Sequence, residues 1–93
     1  MTYELEFAPS ALKEWKKLGH TVREQFKKKL SERLRVPRTQ ADALRDLPDH
    51  YKIKLKASGY RLVYRVIDER VVVMVVAVGK RERNEVYRAA KRP

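Results

Sequence analysis

Apolar and charged residues alternate without a break along Tyr51-Lys-Ile-Lys-Leu-Lys56, the period-two pattern of a strand with one buried face. A turn signal follows at Ala57-Ser58-Gly59, then a second strand-like run from Arg61 to Ile67. With a loop over Ala57–Tyr60, Lys56 falls opposite Arg61, Lys54 opposite Val63 and Lys52 opposite Arg65. The same register brings Leu55 to Leu62, Ile53 to Tyr64 and Tyr51 to Val66, so burial selects it over a one-residue slip. One face of this hairpin is core. The other carries Lys52, Lys54, Lys56, Arg61 and Arg65 and no acid. Like charges so close together oppose folding, and such a face points to an anionic ligand.

The flanking patterns supply the rest of a fold. Tyr3–Phe7 alternates as a short first strand, and Pro9 and Ser10 open a helix with Ser10 as its cap. Ala11, Leu12, Trp15 and Leu18 share one helical face, which Gly19 ends. Thr21-Val-Arg-Glu24 reads as a capping box for a second helix with Val22, Phe26, Leu30 and Leu34 along its buried stripe and Pro37 beyond its end. The two helices form an antiparallel hairpin joined at Gly19-His20, with Trp15 and Phe26 as core anchors. Val36–His50 is a loop with one helical turn, held by Leu44 and Leu47. Asp68-Glu69 turns the chain into Val71–Val78, an apolar run on both faces and therefore a central strand. Val72 and Met74 are expected to floor the basic face, and Asn84–Lys91 to form a short C-terminal helix carrying Tyr87. The predicted architecture is one α+β domain over residues 1–93. An N-terminal strand and a helical hairpin precede a three-stranded antiparallel meander, giving four strands in one sheet.

Charge sharpens this picture. The 93 residues hold 23 Lys and Arg against 12 acids, a net charge of +11. That excess favours polyanions, nucleic acid first. Between Tyr51 and Arg81 the only acids are Asp68 and Glu69, which concentrates the basic character on the sheet. The absence of cysteine excludes disulfides, thiol catalysis and the usual structural zinc sites. No signal-peptide pattern or membrane-length apolar run occurs, so a soluble cytoplasmic protein is expected.

The chain offers little conventional catalytic equipment. His20 and His50 read as surface residues, and no paired carboxylates, metal-ligand cluster, phosphate-binding glycine loop or Ser-His-Asp set appears. No metal or cofactor is expected. Lys, Arg and Tyr suffice for one reaction, because RNA brings its own nucleophile, the 2′-hydroxyl; the protein need only align it, neutralise the phosphate and move protons. A lysine among like charges gives up its proton more readily, and an arginine holds phosphate bidentately. Lys27, Lys28 and Lys29 lie on the outer part of the second helix, a solvated face that also suits non-specific phosphate contact. Composition and periodicity alone favour a non-catalytic RNA-binding module over a nuclease.

Resemblance changes that balance. Leu47-Pro-Asp-His-Tyr-Lys-Ile-Lys-Leu-Lys-Ala-Ser-Gly-Tyr-Arg-Leu-Val-Tyr-Arg-Val-Ile-Asp68 and Val78-Gly-Lys-Arg-Glu-Arg-Asn-Glu-Val-Tyr87 resemble the RelE toxins of bacterial toxin–antitoxin systems, as do Ala11-Leu-Lys-Glu-Trp-Lys-Lys-Leu18 and Thr21-Val-Arg-Glu-Gln25. The likeness spans nearly the whole chain. It implies a microbial-ribonuclease-like fold of the RelE/ParE superfamily and endonucleolytic cleavage of mRNA in the A site of the 70S ribosome. It also implies a cognate RelB-like antitoxin. The family's functional set falls on Lys52, Lys54, Arg61, Arg81 and Tyr87, all present. The resemblance gives Lys54 the role of base with Lys52 in support, Arg61 that of charge stabiliser, Arg81 that of acting on the leaving oxygen and Tyr87 that of stacking. Lys56, Arg65, Lys80, Arg83, Lys27 and Lys28 are the candidate RNA-binding cations around them. Many members of the wider superfamily carry Gly-His-Arg where this chain has Gly79-Lys80-Arg81, so a histidine acid–base is missing there. The alternatives are a non-catalytic basic RNA-binding protein and a same-fold toxin against another target such as DNA gyrase.

Overall fold

The alternating stretch is the outer strand of a four-stranded sheet. The computed structural model describes residues 2–80 and Ala90. Along them run β1 (Glu4–Phe7), α1 (Pro9–Lys17), α2 (His20–Arg35), a 3-10 turn at Gln40–Asp42, β2 (His50–Leu55), β3 (Tyr60–Ile67), a second 3-10 turn at Asp68–Arg70 and β4 (Val72–Lys80). The strand order is β1-β4-β3-β2. β2, β3 and β4 form the expected antiparallel meander, and β1 joins β4 in parallel. The predicted helix over Asn84–Lys91 lies outside the described residues apart from Ala90.

The hairpin register differs from the expected one by two residues. Lys54 faces Arg61, Lys52 faces Val63 and His50 faces Arg65, with Leu55 on Tyr60, Ile53 on Leu62 and Tyr51 on Tyr64. The loop is Lys56–Gly59. Gly59 adopts φ 76°, the left-handed conformation that favours glycine, and donates its N–H to the Leu55 carbonyl at 2.9 Å. The turn therefore closes before Tyr60, whose ring is free to pack against the core. A shift of two preserves parity, so the side chains within the two strands keep their predicted faces, whereas Lys56, expected opposite Arg61, falls in the turn.

Both helices cover one face of the sheet. Ala11, Trp15, Leu18, Phe26 and Leu30 meet Ile53, Leu55, Leu62, Tyr64, Val73 and Val75 in a single buried cluster. Phe7, Trp15 and Phe26 link the layers, with ring centres 5.0 and 6.3 Å apart along the series. The helix ends depart from expectation. Ala8 is the cap of α1 and Pro9 fills the first turn, where a missing N–H is harmless, so Ser10 lies inside the helix. Buried Leu18 turns the chain into the core, and Gly19, at φ −62° and ψ 156°, is the extended cap of α2 and does not terminate α1 in a left-handed turn. Thr21 is consequently already helical and makes no capping box.

β4 contains the feature that pattern reading missed. Tyr64 pairs with Val75 but Val63 pairs with Ala77, leaving Val76 as a bulge. An extra residue reverses the alternation beyond it. Val72 and Met74 share the face of Arg65, whereas Ala77 and Gly79 take that face further along. Val72 is only 4 % exposed and Met74 half-buried, so the open apolar floor expected from them is not formed. Val63 and Ala77 further along the same face are buried as well, with Leu44, Val76 and Ala90 against them.

Val71, expected to begin the strand, instead sits at φ 54° and ψ 48° in the turn before it. That conformation is strained for a β-branched residue. Val71→Gly is expected to stabilise the fold by roughly 0.5–1 kcal/mol, relief of strain outweighing the entropy of a new glycine. Thermal unfolding followed by circular dichroism should show a rise of a few degrees; an unchanged or lower midpoint would mean the turn carries no such strain.

Two polar hubs hold the long loop between α2 and β2. Tyr64, buried from solvent, donates its hydroxyl to the Pro37 carbonyl at 2.6 Å and accepts from Arg33 at 2.9 Å. Arg33 also pairs with Asp42 at 2.5 Å and reaches the Lys52 carbonyl at 3.5 Å, steadying the outer edge of β2. Burial lowers the Arg33 pKa, but its bonds to Tyr64 and Asp42 more than offset this and raise it. Arg38 bridges Asp49 at 2.9 Å and Asp68 at 2.6 Å, and Tyr3 donates to the same Asp68 at 2.6 Å.

The Tyr3 hydroxyl and then Arg38 lower the Asp68 pKa below its ordinary 3.8. A carboxylate depressed in the folded state adds stability above its unfolded pKa and loses it as pH falls through the folded one. Asp68→Asn should therefore flatten the acid limb of stability below about pH 4. Urea unfolding at successive acidic pH values checks this, and an identical acid limb in the variant would count against it.

Candidate nucleic-acid interface

The sheet face turned away from the helices is organised as rungs across β2 and β3. Lys54–Arg61, Lys52–Val63 and His50–Arg65 lie at alternate positions, roughly 6.6 Å apart along the strands. Lys54 and Arg65 are exposed, whereas Lys52, Arg61 and His50 are half-buried. Val63 and Ala77 lie buried between the end rungs. Beside Arg61, a Cβ on Gly79 would meet no atom of the described residues within 4 Å. Cations on either side of a buried apolar strip can hold phosphates along the sheet.

The face is polarised. β1 brings Glu4 and Glu6 to it, next to Val72 and Met74, which the hairpin considered alone could not show. Glu6 is held by Arg70 at 3.0 Å. Positive charge thus occupies the β2–β3 side and negative charge the β1 edge, so an anionic strand is favoured over the former.

The remaining candidates fall in different places. Lys56 is in the hairpin turn and lines a groove of about 550 Å³ with Gln25, Lys28, Lys29, Glu32 and Lys54, between α2 and the outer edge of β2. Lys27 is exposed on α2 and pairs with Glu24 at 3.1 Å. Lys80 pairs with Tyr60, on the helix side of the sheet, and its ammonium lies 5.6 Å from the Tyr60 ring centre. Its strand parity separates it from Arg61. Arg81, Arg83 and Tyr87 lie outside the described residues. His50, read from sequence as a surface residue, shares the face of Lys52 and Lys54; strand parity was the signal that could have revealed it. Among the described residues no group of three or more His, Cys, Asp or Glu could hold a metal. No helix among them is long and apolar enough to cross a membrane.

The chain belongs to the RelE/ParE toxin family, and its two-helix layer on a mixed sheet is the fold that it shares with that family. The family profile described as ParE toxin of type II toxin-antitoxin system, parDE, matches residues 5–85. The chain is 67% identical over 90 residues to mRNA interferase toxin RelE of Escherichia coli strain K12, covering 97% of this chain and 95% of that protein. The free state of an E. coli RelE double arginine mutant superimposes with a TM-score of 0.91 at 64% identity, over 97% of this chain and 95% of that one. The same mutant in complex with an antitoxin RelBc peptide gives 0.85 at 63% identity, over 99% and 97%.

Proposed function

We propose that this protein is the toxin of a type II toxin–antitoxin pair and arrests translation by cutting mRNA in the ribosomal A site. The observation that carries the reading is the Lys54–Arg61 rung, with Lys52 on the adjacent one, open on the face opposite the helices. Its likeness to an mRNA interferase over nearly its whole length supports the same reading. The reaction joins the 2′-oxygen of one nucleotide to the adjacent phosphorus and breaks the bond from phosphorus to the 5′-oxygen. The products are a 2′,3′-cyclic phosphate and a 5′-hydroxyl. Lys54 takes the proton of the 2′-hydroxyl, Lys52 supports it, and Arg61 balances the charge that builds on the phosphate. Arg81 acts on the leaving oxygen and Tyr87 stacks on a nucleotide. Lys56, Arg65, Lys80, Arg83, Lys27 and Lys28 supply longer-range attraction for RNA.

The proposed setting is the cytoplasm, and the proposed inhibitor is a RelB-like antitoxin. Its fit to this surface requires acidic or amphipathic character. Mapping mRNA 5′ ends after adding the protein to translating ribosomes tests the activity. New ends within A-site codons are expected. Arrested translation with intact message would reject the nuclease and leave a same-fold toxin against another target.

A further inference from the structure

The Lys54–Arg61 rung has a counterpart two rungs away. His50 and Arg65 face each other across β2 and β3 on the same side of the sheet, roughly 13 Å along the strand from Lys54. Arg65 is exposed and makes no ion pair among the described residues. The His50 ring is fixed. Its Nδ1 lies 2.8 Å from the Pro48 carbonyl oxygen, which can only accept, so Nδ1 carries the proton. Its main-chain carbonyl is held by the Leu44 N–H at 3.0 Å. Nε2 is thereby left as the ring's remaining polar atom.

We propose that His50 and Arg65 form a second phosphate subsite for single-stranded RNA, holding the backbone beyond the nucleotide pair at Lys54 and Arg61. The assignment rests on the reading of that first rung as the cleavage site. Rungs at strand spacing repeat at about the interval of phosphates in an extended single strand, so one RNA backbone can engage both ends of the ladder. Half-buried Lys52 lies between them, opposite Val63, which is buried with Leu44 and Ala90 against its cluster. Arg65 contributes at any pH. His50 contributes only as imidazolium, because the neutral ring, its Nδ1–H engaged, presents a lone pair at Nε2 that repels phosphate. The charged groups around His50 are Arg65 across the rung and Lys52 along the strand. The preceding loop adds Asp49, held by Arg38, and Asp46.

The test uses the full chain and an uncleavable single strand of about ten nucleotides carrying 2′-deoxyribose throughout. Exchanging both His50→Ala and Arg65→Ala should weaken binding roughly five- to twentyfold and reduce the salt slope by about 0.7 for the lost phosphate. A dinucleotide, with one phosphate, should lose little. Arg65→Lys should keep the slope, and an unchanged melting temperature separates lost contact from lost fold. Binding and salt slope unaltered in the double variant would overturn the subsite. Cleavage of ribosomal message by the parent is scored separately. A parent that binds through the distal rung yet cuts nothing would reject the nuclease and keep the subsite.

Discussion

Lys54→Ala is expected to slow single-turnover cleavage of ribosome-bound message by roughly 10²–10⁴-fold, the usual contribution of a positioned proton-transfer group. The loss should appear in the chemical step, with ribosome binding little changed. Lys54 is exposed at the edge strand and has no ion-pair partner among the described residues, so its removal should leave stability within about 0.5 kcal/mol. Quenched-flow cleavage with a melting curve of the same variant checks both halves. Activity within a factor of a few of the parent would remove Lys54 from the chemistry. Lys54→Arg is the informative companion, because it keeps the cation and discards the base; it should be nearly as slow as alanine.

Free RNA is expected to be cut more slowly than ribosome-bound message by three orders of magnitude or more, a modest share of the roughly 10⁵–10⁸ M effective molarity that alignment can provide. Lysine and arginine both titrate far from neutrality, so neither is an efficient proton-transfer partner unaided. The rate must come mainly from holding the 2′-oxygen in line with the phosphate and from balancing charge. A face built on one edge hairpin, with cations on either side of a buried strip, can bind a flexible strand without fixing that line. A ribosome that immobilises the codon supplies what the face lacks. Naked RNA should bind with steep salt dependence and persist largely uncut. Equal single-turnover rates on the two substrates would refute this division of labour.

Much of this was legible from parity. The lysines at 52 and 54 and the apolar residues at 51, 53 and 55 could not exchange faces without burying charge, so these five were placed correctly even with the wrong register, while Lys56 was not. Helix stripes at Trp15, Phe26 and Leu30 were equally constrained by burial. What escaped depended on single residues whose behaviour is set by the tertiary structure. Val71–Val78 is apolar throughout, so nothing in its pattern could mark Val76 as a bulge or Val71 as a turn residue. Ser10 and Thr21 are good caps by chemistry, yet Pro9 and the short Leu18–Gly19 link moved the helix starts ahead of them. The acidic edge from Glu4 and Glu6 required knowing that β1 lies beside β4. His50 was passed over because a lone histidine before a strand carries no signal until its neighbours are counted by twos.

The parallel pairing of β1 with β4 also governs when the protein can become harmful. Glu4 meets Val72 and Phe7 meets Val75, so the first strand to be synthesised waits for the last described one before it has a partner. Contacts this distant in sequence form late and slowly. β4 also separates β1 from the hairpin that carries the cationic rungs. A nascent chain therefore cannot complete the sheet while its last strand is still being made. The fold itself delays the onset of toxicity until β4 has been made, an interval in which an antitoxin already present can meet an unfinished target.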